Sequence, residues 1–221
     1  MQAKNNSQET TILLVRHGQS EGNVLGVFTG HSGYPLTDLG HKQAEMTAKY
    51  IGGNYCVDAV YSSDLPRAFQ TAEHTARVFG LPIVTDCRLR EINAGKWENI
   101  PFSELSLRFP EAYAVWREDL IHFSADGGES VMDVANRAVD ALHAIAAANS
   151  GKCVVVVAHA TTIRTALWKI SGMPKSAMQE LSWGGNCAIS ELCFSDGKLQ
   201  IKAVNFTNHL AGFESVLPKN I

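Results

Sequence analysis

No stretch of this 221-residue chain approaches the roughly 20 consecutive apolar residues that a bilayer-spanning helix needs. Cysteine is sparse and unpaired in pattern: Cys56, Cys87, Cys153, Cys187 and Cys193 are odd in number and contain no C-x-x-C. That excludes a disulfide framework and the usual zinc clips. Nor is there an H-x-x-x-H or H-x-H, so neither metal nor other cofactor is expected. The chain also lacks a basic excess. A net charge of -3 gives it no overall attraction to nucleic acid or an anionic membrane, and any anionic ligand must be held by local positive charge. Repeats, low-complexity tracts and Pro/Gly/Ser-rich linkers are missing too. The polar start and the short apolar run at 12–15 do not make a signal-peptide core. With cysteines sitting mostly in apolar runs, a cytoplasmic protein is the expectation.

What is present is enough apolar sequence for a full core: hydrophobic residues are 45% of the chain and charged residues 19%, which excludes global disorder. Residues 1–9 read as a loose tail and 10–221 as one domain. The run TTILLV at 10–15 is apolar without alternation, the mark of a strand buried on both faces. Thr37 and Asp38 offer caps for a helix to about Ile51. A strand at 59–62 leads to a helix at 66–79, opened by Pro66 and closed by Gly80. A short strand follows at 83–85. Ser130, with Asp133 three residues on, caps a long helix whose apolar positions repeat at the helical period. KCVVVVA at 152–158 is a second buried strand, followed by a helix over about 161–170. Strands at 187–194 and 198–205, joined by Ser195-Asp196-Gly197, complete the pattern. Strand–helix alternation predicts an α/β three-layer sandwich, a mostly parallel sheet with an antiparallel edge and helices on both faces. Residues 96–126 break the rhythm. Aromatic and charged residues without a strand there read as a helical excursion, a cap-like insertion over the site.

Ligands in open α/β sheets bind beyond the carboxyl ends of the strands. Arg16-His17-Gly18 ends the first buried strand, Ser62-Ser63 ends the second and leads to Arg67, and His159 ends KCVVVVA. If the first and last of these strands are neighbours, imidazoles and guanidiniums share one crevice. The other histidines considered (His41, His74, His122, His143) lie in helical or polar contexts where a solvated or capping role is the simpler reading. Arginines beside His17 disfavour a bound cation and favour an anion, with phosphate the obvious guest. Singly, Arg67 reads equally well as a surface residue, and Glu91, flanked by Arg88 and Arg90, as a solvated ion pair.

The segment Leu14-Val15-Arg16-His17-Gly18-Gln19-Ser20-Glu21-Gly22-Asn23 resembles the signature of the histidine phosphatase superfamily, which includes cofactor-dependent phosphoglycerate mutases. Phe28-Thr29-Gly30 and Pro35-Leu36-Thr37-x-Leu39-Gly40 are similar to its next loop and helix start. Tyr61-Ser62-Ser63-Asp64-Leu65-x-Arg67 resembles its second-arginine segment, and Leu89-Arg90-Glu91-Ile92 its acid-bearing one. Gly127-Gly128-Glu129-Ser130 and Val156-Val157-Ala158-His159 complete the order. The resemblance implies a phosphohistidine on His17, charge stabilisation by Arg16, Arg67 and His159, and Glu91 as acid and then base. It also implies phosphate or substrate contacts at Asn23, Thr29, Gly30 and the Ala160 main chain. Two departures stand out: Gly22 where Trp is frequent, and Ala160 where Gly commonly follows the second histidine.

Within the family, the short 96–126 stretch has no Arg-Arg pair of the kind glycolytic mutases resemble one another in. Its pattern looks more like the phosphatase branch, including α-ribazole and broad-specificity phosphatases. A phosphatase acting on small phosphate monoesters is therefore the expectation, with a mutase as alternative and a non-catalytic phosphate-binding scaffold as a third reading. The expected partner is a small-molecule phosphate ester, and a homodimer through the C-terminal strands is possible in principle.

Overall fold

The computed structural model describes residues 9–215. Of the expected N-terminal tail at 1–9, all but Glu9 lies outside the described residues. In chain order the elements are β1 (Thr10–Arg16), α1 (Glu21–Leu25), α2 (Asp38–Asn54), β2 (Ala59–Ser62), α3 (Pro66–Phe79) and β3 (Ile83–Thr85). Then come α4 (Phe102–Arg108), α5 (Pro110–Glu118), α6 (Val131–Ala148), β4 (Cys153–Ala158), α7 (Ala160–Ser171), β5 (Ile189–Ser195) and β6 (Lys198–Phe206).

The six strands form one sheet in the order β3-β2-β4-β1-β5-β6. β1, β2, β3 and β4 run parallel, whereas β5 is antiparallel to both β1 and β6. The apolar run of β1 serves both faces because successive side chains point to opposite sides. Ile12 and Leu14 pack with Val154 and Val156 under α6 and α7, while Leu13 and Val15 pack with Val155 and Val157 under α2 and α3. The result is the expected three-layer sandwich. Its caps are the expected ones as well. The Thr37 hydroxyl accepts from the Gly40 N–H at 3.0 Å, Ser130 and Asp133 form a reciprocal capping box, and Gly80 ends α3 in the left-handed region at φ 64°.

Residues 96–126 are helical without joining the sheet, through α4, α5 and short 3-10 turns. Their aromatics build a core of their own. Trp97, Trp116 and Phe123 lie mutually within 4.7–5.9 Å between ring centroids, and Phe28 closes on Trp116 at 5.2 Å. This cluster packs onto Val131 and Val134 of α6 and Trp168 of α7.

Two details differ from the sequence reading. The β5–β6 connection is a two-residue turn, Asp196-Gly197, because Ser195 still pairs with Lys198; both turn residues have positive φ, as a tight hairpin of matching twist requires. Cys187 does not begin β5. It adopts φ 56°, and its N–H donates to the carbonyls of Arg16 and His17, tying the chain to the end of β1 before the strand starts. Among the described residues, no helix is long and apolar enough to cross a membrane, and the five cysteines are free.

Candidate active site

The register of β1 against β4 pairs Arg16 with Ala158, so the residues that follow, His17 and His159, leave adjacent strands side by side. Their rings lie 5.1 Å apart between centroids, and both are almost wholly buried. His17 Nδ1 sits 2.7 Å from the Gly18 carbonyl, which can only accept, so Nδ1 carries the proton. Nε2 is left with its lone pair, and Arg67 Nε donates towards it across 3.3 Å. Burial first, then the charges of Arg67 and Arg16, hold the His17 pKa well below its usual value. Burial and the same arginines also lower that of His159. Both imidazoles are thus neutral near pH 7. His159 Nε2 is 2.9 Å from the Ser63 hydroxyl, and its Nδ1 is buried without a hydrogen-bond partner.

Arg67 is fully buried rather than a surface residue. Its Nη atoms donate to the carbonyls of Ser32, Thr29 and Gly30 at 2.9, 2.7 and 2.9 Å, which aims the guanidinium edge at His17. Thr29 and Gly30 therefore serve the site through their backbone oxygens. Gly30 can approach so closely only without a side chain: a Cβ would meet the Ile92 carbonyl at 2.5 Å. Thr71 braces the assembly from α3, accepting from the Gly18 N–H at 3.0 Å and donating to the Arg67 carbonyl at 2.7 Å.

Arg16 Nη1 donates to the Gly184 carbonyl at 2.6 Å, and its Nε is buried without a partner. Burial lowers the pKa of Arg16 and of Arg67 to about 10, with Glu91 opposing the shift, so both remain cations at neutral pH. Asn23 shows its amide oxygen to the Ser20 N–H and to Asn186 Nδ2, each at 3.1 Å. Asn23 lines the crevice, and with its oxygen tied its NH₂ is the group left to donate. Gly22, where the family often has Trp, leaves room that Thr29 and Tyr34 fill: a Cβ there would come within 2.2 Å of Thr29 Cγ2.

Glu91 is gripped by the start of α7. Its Oε2 accepts from the Thr161 N–H at 3.1 Å and its Oε1 from the N–H groups of Thr162 and Ile92 at 3.3 and 2.9 Å. A helix N-terminus suits a carboxylate, since its N–H groups lack helical partners. The Glu91 backbone is held in turn. Arg137 donates to the carbonyls of Arg88, Arg90 and Glu91 and forms a 2.8 Å ion pair with Glu129. The Gly127-Gly128-Glu129-Ser130 block thus acts through Arg137. Glu91 is an almost buried acid, and the expected alternative, a solvated ion pair, belongs to its neighbour Arg90, which pairs with Asp64.

One crevice exposes these groups. Its lining includes Arg16, His17, Asn23, Thr29, Glu91 and Ala160 together with the aromatic Phe28, Phe102, Trp116 and Trp183. Arg67 and His159 lie against His17, and Gly30 reaches the site through Arg67. Sequence reasoning missed Asn186, whose Nδ2 also donates to the His17 carbonyl at 3.1 Å, and it missed Arg137, Thr161 and Thr162. Among the described residues, no three His, Cys, Asp or Glu side chains are placed to hold a metal ion.

The family model for the histidine phosphatase superfamily (branch 1) matches residues 12–207. A bifunctional protein of Mycobacterium tuberculosis is 34% identical over 91% of this chain, which spans only 55% of that relative's length. Phosphoserine phosphatase 1 of Hydrogenobacter thermophilus is 29% identical, covering 91% of this chain and 95% of the relative. A probable phosphoglycerate mutase of Proteus mirabilis is 34% identical, covering 84% and 85%. Among solved structures, a native mycobacterial glucosyl-3-phosphoglycerate phosphatase matches with a TM-score of 0.82 at 28% identity, over 90% of this chain and all of the other. The family match begins within β1 and ends just past β6, enclosing every residue that meets at the crevice: the chain belongs to the histidine phosphatase superfamily.

Proposed function

We propose that this protein hydrolyses small-molecule phosphate monoesters through a phosphohistidine on His17. The observation that carries the reading is the neutral imidazole with Nδ1 protonated and Nε2 facing Arg67. An uncharged ring with its lone pair turned towards a buried cation is a nucleophile for an anionic ester.

The reaction follows from the neighbours. Nε2 attacks phosphorus in line, forming the N–P bond as the P–O bond to the alcohol breaks. Arg16, Arg67 and His159 take the non-bridging oxygens, using donors now idle or lightly engaged, such as Arg16 Nε. The Asn23 NH₂ and the Ala160 N–H add hydrogen bonds from either side. Glu91 passes a proton to the leaving oxygen, the proton residing on the carboxyl or arriving with a singly protonated ester. In the second half-reaction Glu91 accepts a proton from the water that attacks phosphohistidine, releasing orthophosphate and free His17.

A mutase must bind its substrate's carboxylate as well as the phosphate, and Arg16 is the single Lys or Arg lining the crevice. That favours hydrolysis. Rapid quenching during turnover of 4-nitrophenyl phosphate should trap acid-labile phosphate on the wild-type protein. His17→Ala should abolish both the trapped phosphate and turnover while leaving the circular dichroism spectrum intact. Turnover that survives His17→Ala refutes the reading, and so does conversion of 3-phosphoglycerate to 2-phosphoglycerate without phosphate release.

A further inference from the structure

We propose that the alcohol this site releases carries no anionic group and has an apolar or aromatic body. This rests on the phosphatase reading above and adds the class of leaving group.

The crevice is divided by chemistry. Beside the groups that handle phosphate stands a wall of Val27, Phe28, Phe102, Trp116 and Trp183. These come from three separate parts of the chain, so the wall is not an accident of one helix face. The alcohol of an in-line displacement points away from His17, and the crevice that holds His17 is lined by these same apolar side chains. An apolar body gains there by leaving water and by contact with ring edges and faces.

An anionic body finds no free partner. Arg16 is the single cation lining the crevice, and it is tied to Gly184 and to the phosphate position. Two other arginines lie close but behind the wall. Trp116 and Trp183 stack at 5.5 Å with 23° between their planes, and Arg117 and Arg164 border a separate hollow that shares this pair of rings. Arg164 is buried: its guanidinium carbon lies 4.1 Å from the centre of the Trp183 ring, Nη2 donates to the Met178 and Gln179 carbonyls at 2.9 and 3.3 Å, and Nε, without a partner, is buried too and does not reach the crevice. Arg164 thus holds Trp183 in place rather than offering itself to a ligand. The remaining charged group in the crevice is Glu91, which repels an anion. A carboxylate on the leaving group would lose water without gaining a partner. Phosphoserine and glucosyl-3-phosphoglycerate, the substrates that two relatives are named for, both carry one.

Ethyl phosphate, 2-phenylethyl phosphate and phosphoserine all release a primary alcohol, so differences in kcat/KM report the wall more than intrinsic reactivity. The 2-phenylethyl ester should exceed phosphoserine at least tenfold. Phe102→Ala and Trp183→Ala, two half-buried residues on separate segments, should each lower the phenylethyl-to-ethyl ratio at least threefold. If phosphoserine is hydrolysed as well as the phenylethyl ester, in a reaction that His17→Ala abolishes, the leaving-group assignment falls and the phosphatase reading stands. An unchanged ratio in both folded variants overturns the assignment equally, as does turnover of 4-nitrophenyl phosphate with none of the three alkyl esters. No His17-dependent turnover of any of the four ends both.

Discussion

Acid should destabilise the free protein in a window set by its two central histidines. His17 and His159 have folded-state pKa values well below the usual 6.5, because burial and nearby arginines oppose a positive ring. In the unfolded chain both titrate near 6.5. Below that value the unfolded state binds protons that the folded state refuses, so stability falls as pH falls and is independent of these groups well above 6.5. Between about pH 7.5 and about pH 5.5 each histidine contributes a loss on the order of 1 kcal/mol, and the pair roughly twice that. Asp64, Asp86 and Glu129 also have lowered pKa values, but their losses come at more acidic pH, through the carboxylate range. His74 and His209, lowered by burial, titrate in the same window and need a control. Urea unfolding of the wild type and of His17→Asn at several pH values supplies it, since the control histidines are common to both. The variant should lose less than the wild type across that interval, by on the order of 1 kcal/mol. Orthophosphate, which favours protonated neighbours, should shrink the wild-type loss. Identical pH dependence in the two proteins would refute the claim that His17 is held neutral, and with it the account of its nucleophilicity.

Other substitutions test the supports. Arg67→Lys replaces a planar fork that serves three carbonyls and His17 with a single ammonium, and kcat should fall by about 100-fold or more with KM less affected, measured by steady-state kinetics. Asn186→Ala removes one of the two donors that hold the Asn23 amide and the donor to the His17 carbonyl; kcat/KM should drop about tenfold, and thermal unfolding should show a loss of about 1–3 kcal/mol. Gly30→Ala forces a Cβ against the Ile92 carbonyl and the Ala94 nitrogen, so it should cost about 1–3 kcal/mol and reduce activity by displacing a carbonyl that orients Arg67. Wild-type stability and activity in that variant would show that the loop has slack it does not display.

The sandwich was readable because its signals are local. A continuous apolar run such as 12–15 permits little but a doubly buried strand, and Pro66 with Gly80 brackets α3 to the residue. His17 and His159 were readable as a pair because each directly ends such a run. What escaped were contacts made by backbone groups or by polar residues without local pattern. The Gly184 carbonyl that fixes Arg16 and the Thr161 and Thr162 N–H groups that hold Glu91 leave no mark on side-chain periodicity. Asn186 sits just before the expected start of a strand, and its partners, His17 and Asn23, are distant in sequence. The aromatic excursion posed a different difficulty. Its Trp and Phe residues fit either a packed core or a ligand wall; in the structure they pack as a core, and Phe102 and Trp116 also line the crevice.

The rung at which Arg16 meets Ala158 fixes more than proximity. The two imidazoles are brought together by a strand pairing that joins distant stretches of polypeptide and depends on the central sheet being complete. The stretch before β4 carries His17, Arg16, Arg67 and Glu91, but β4 lies between β1 and β2 in the sheet and brings His159 beside His17. A fragment ending before β4 should therefore show no turnover, however well its own helices form, and in refolding the return of turnover should coincide with closure of the central strands, not with the earlier appearance of helix.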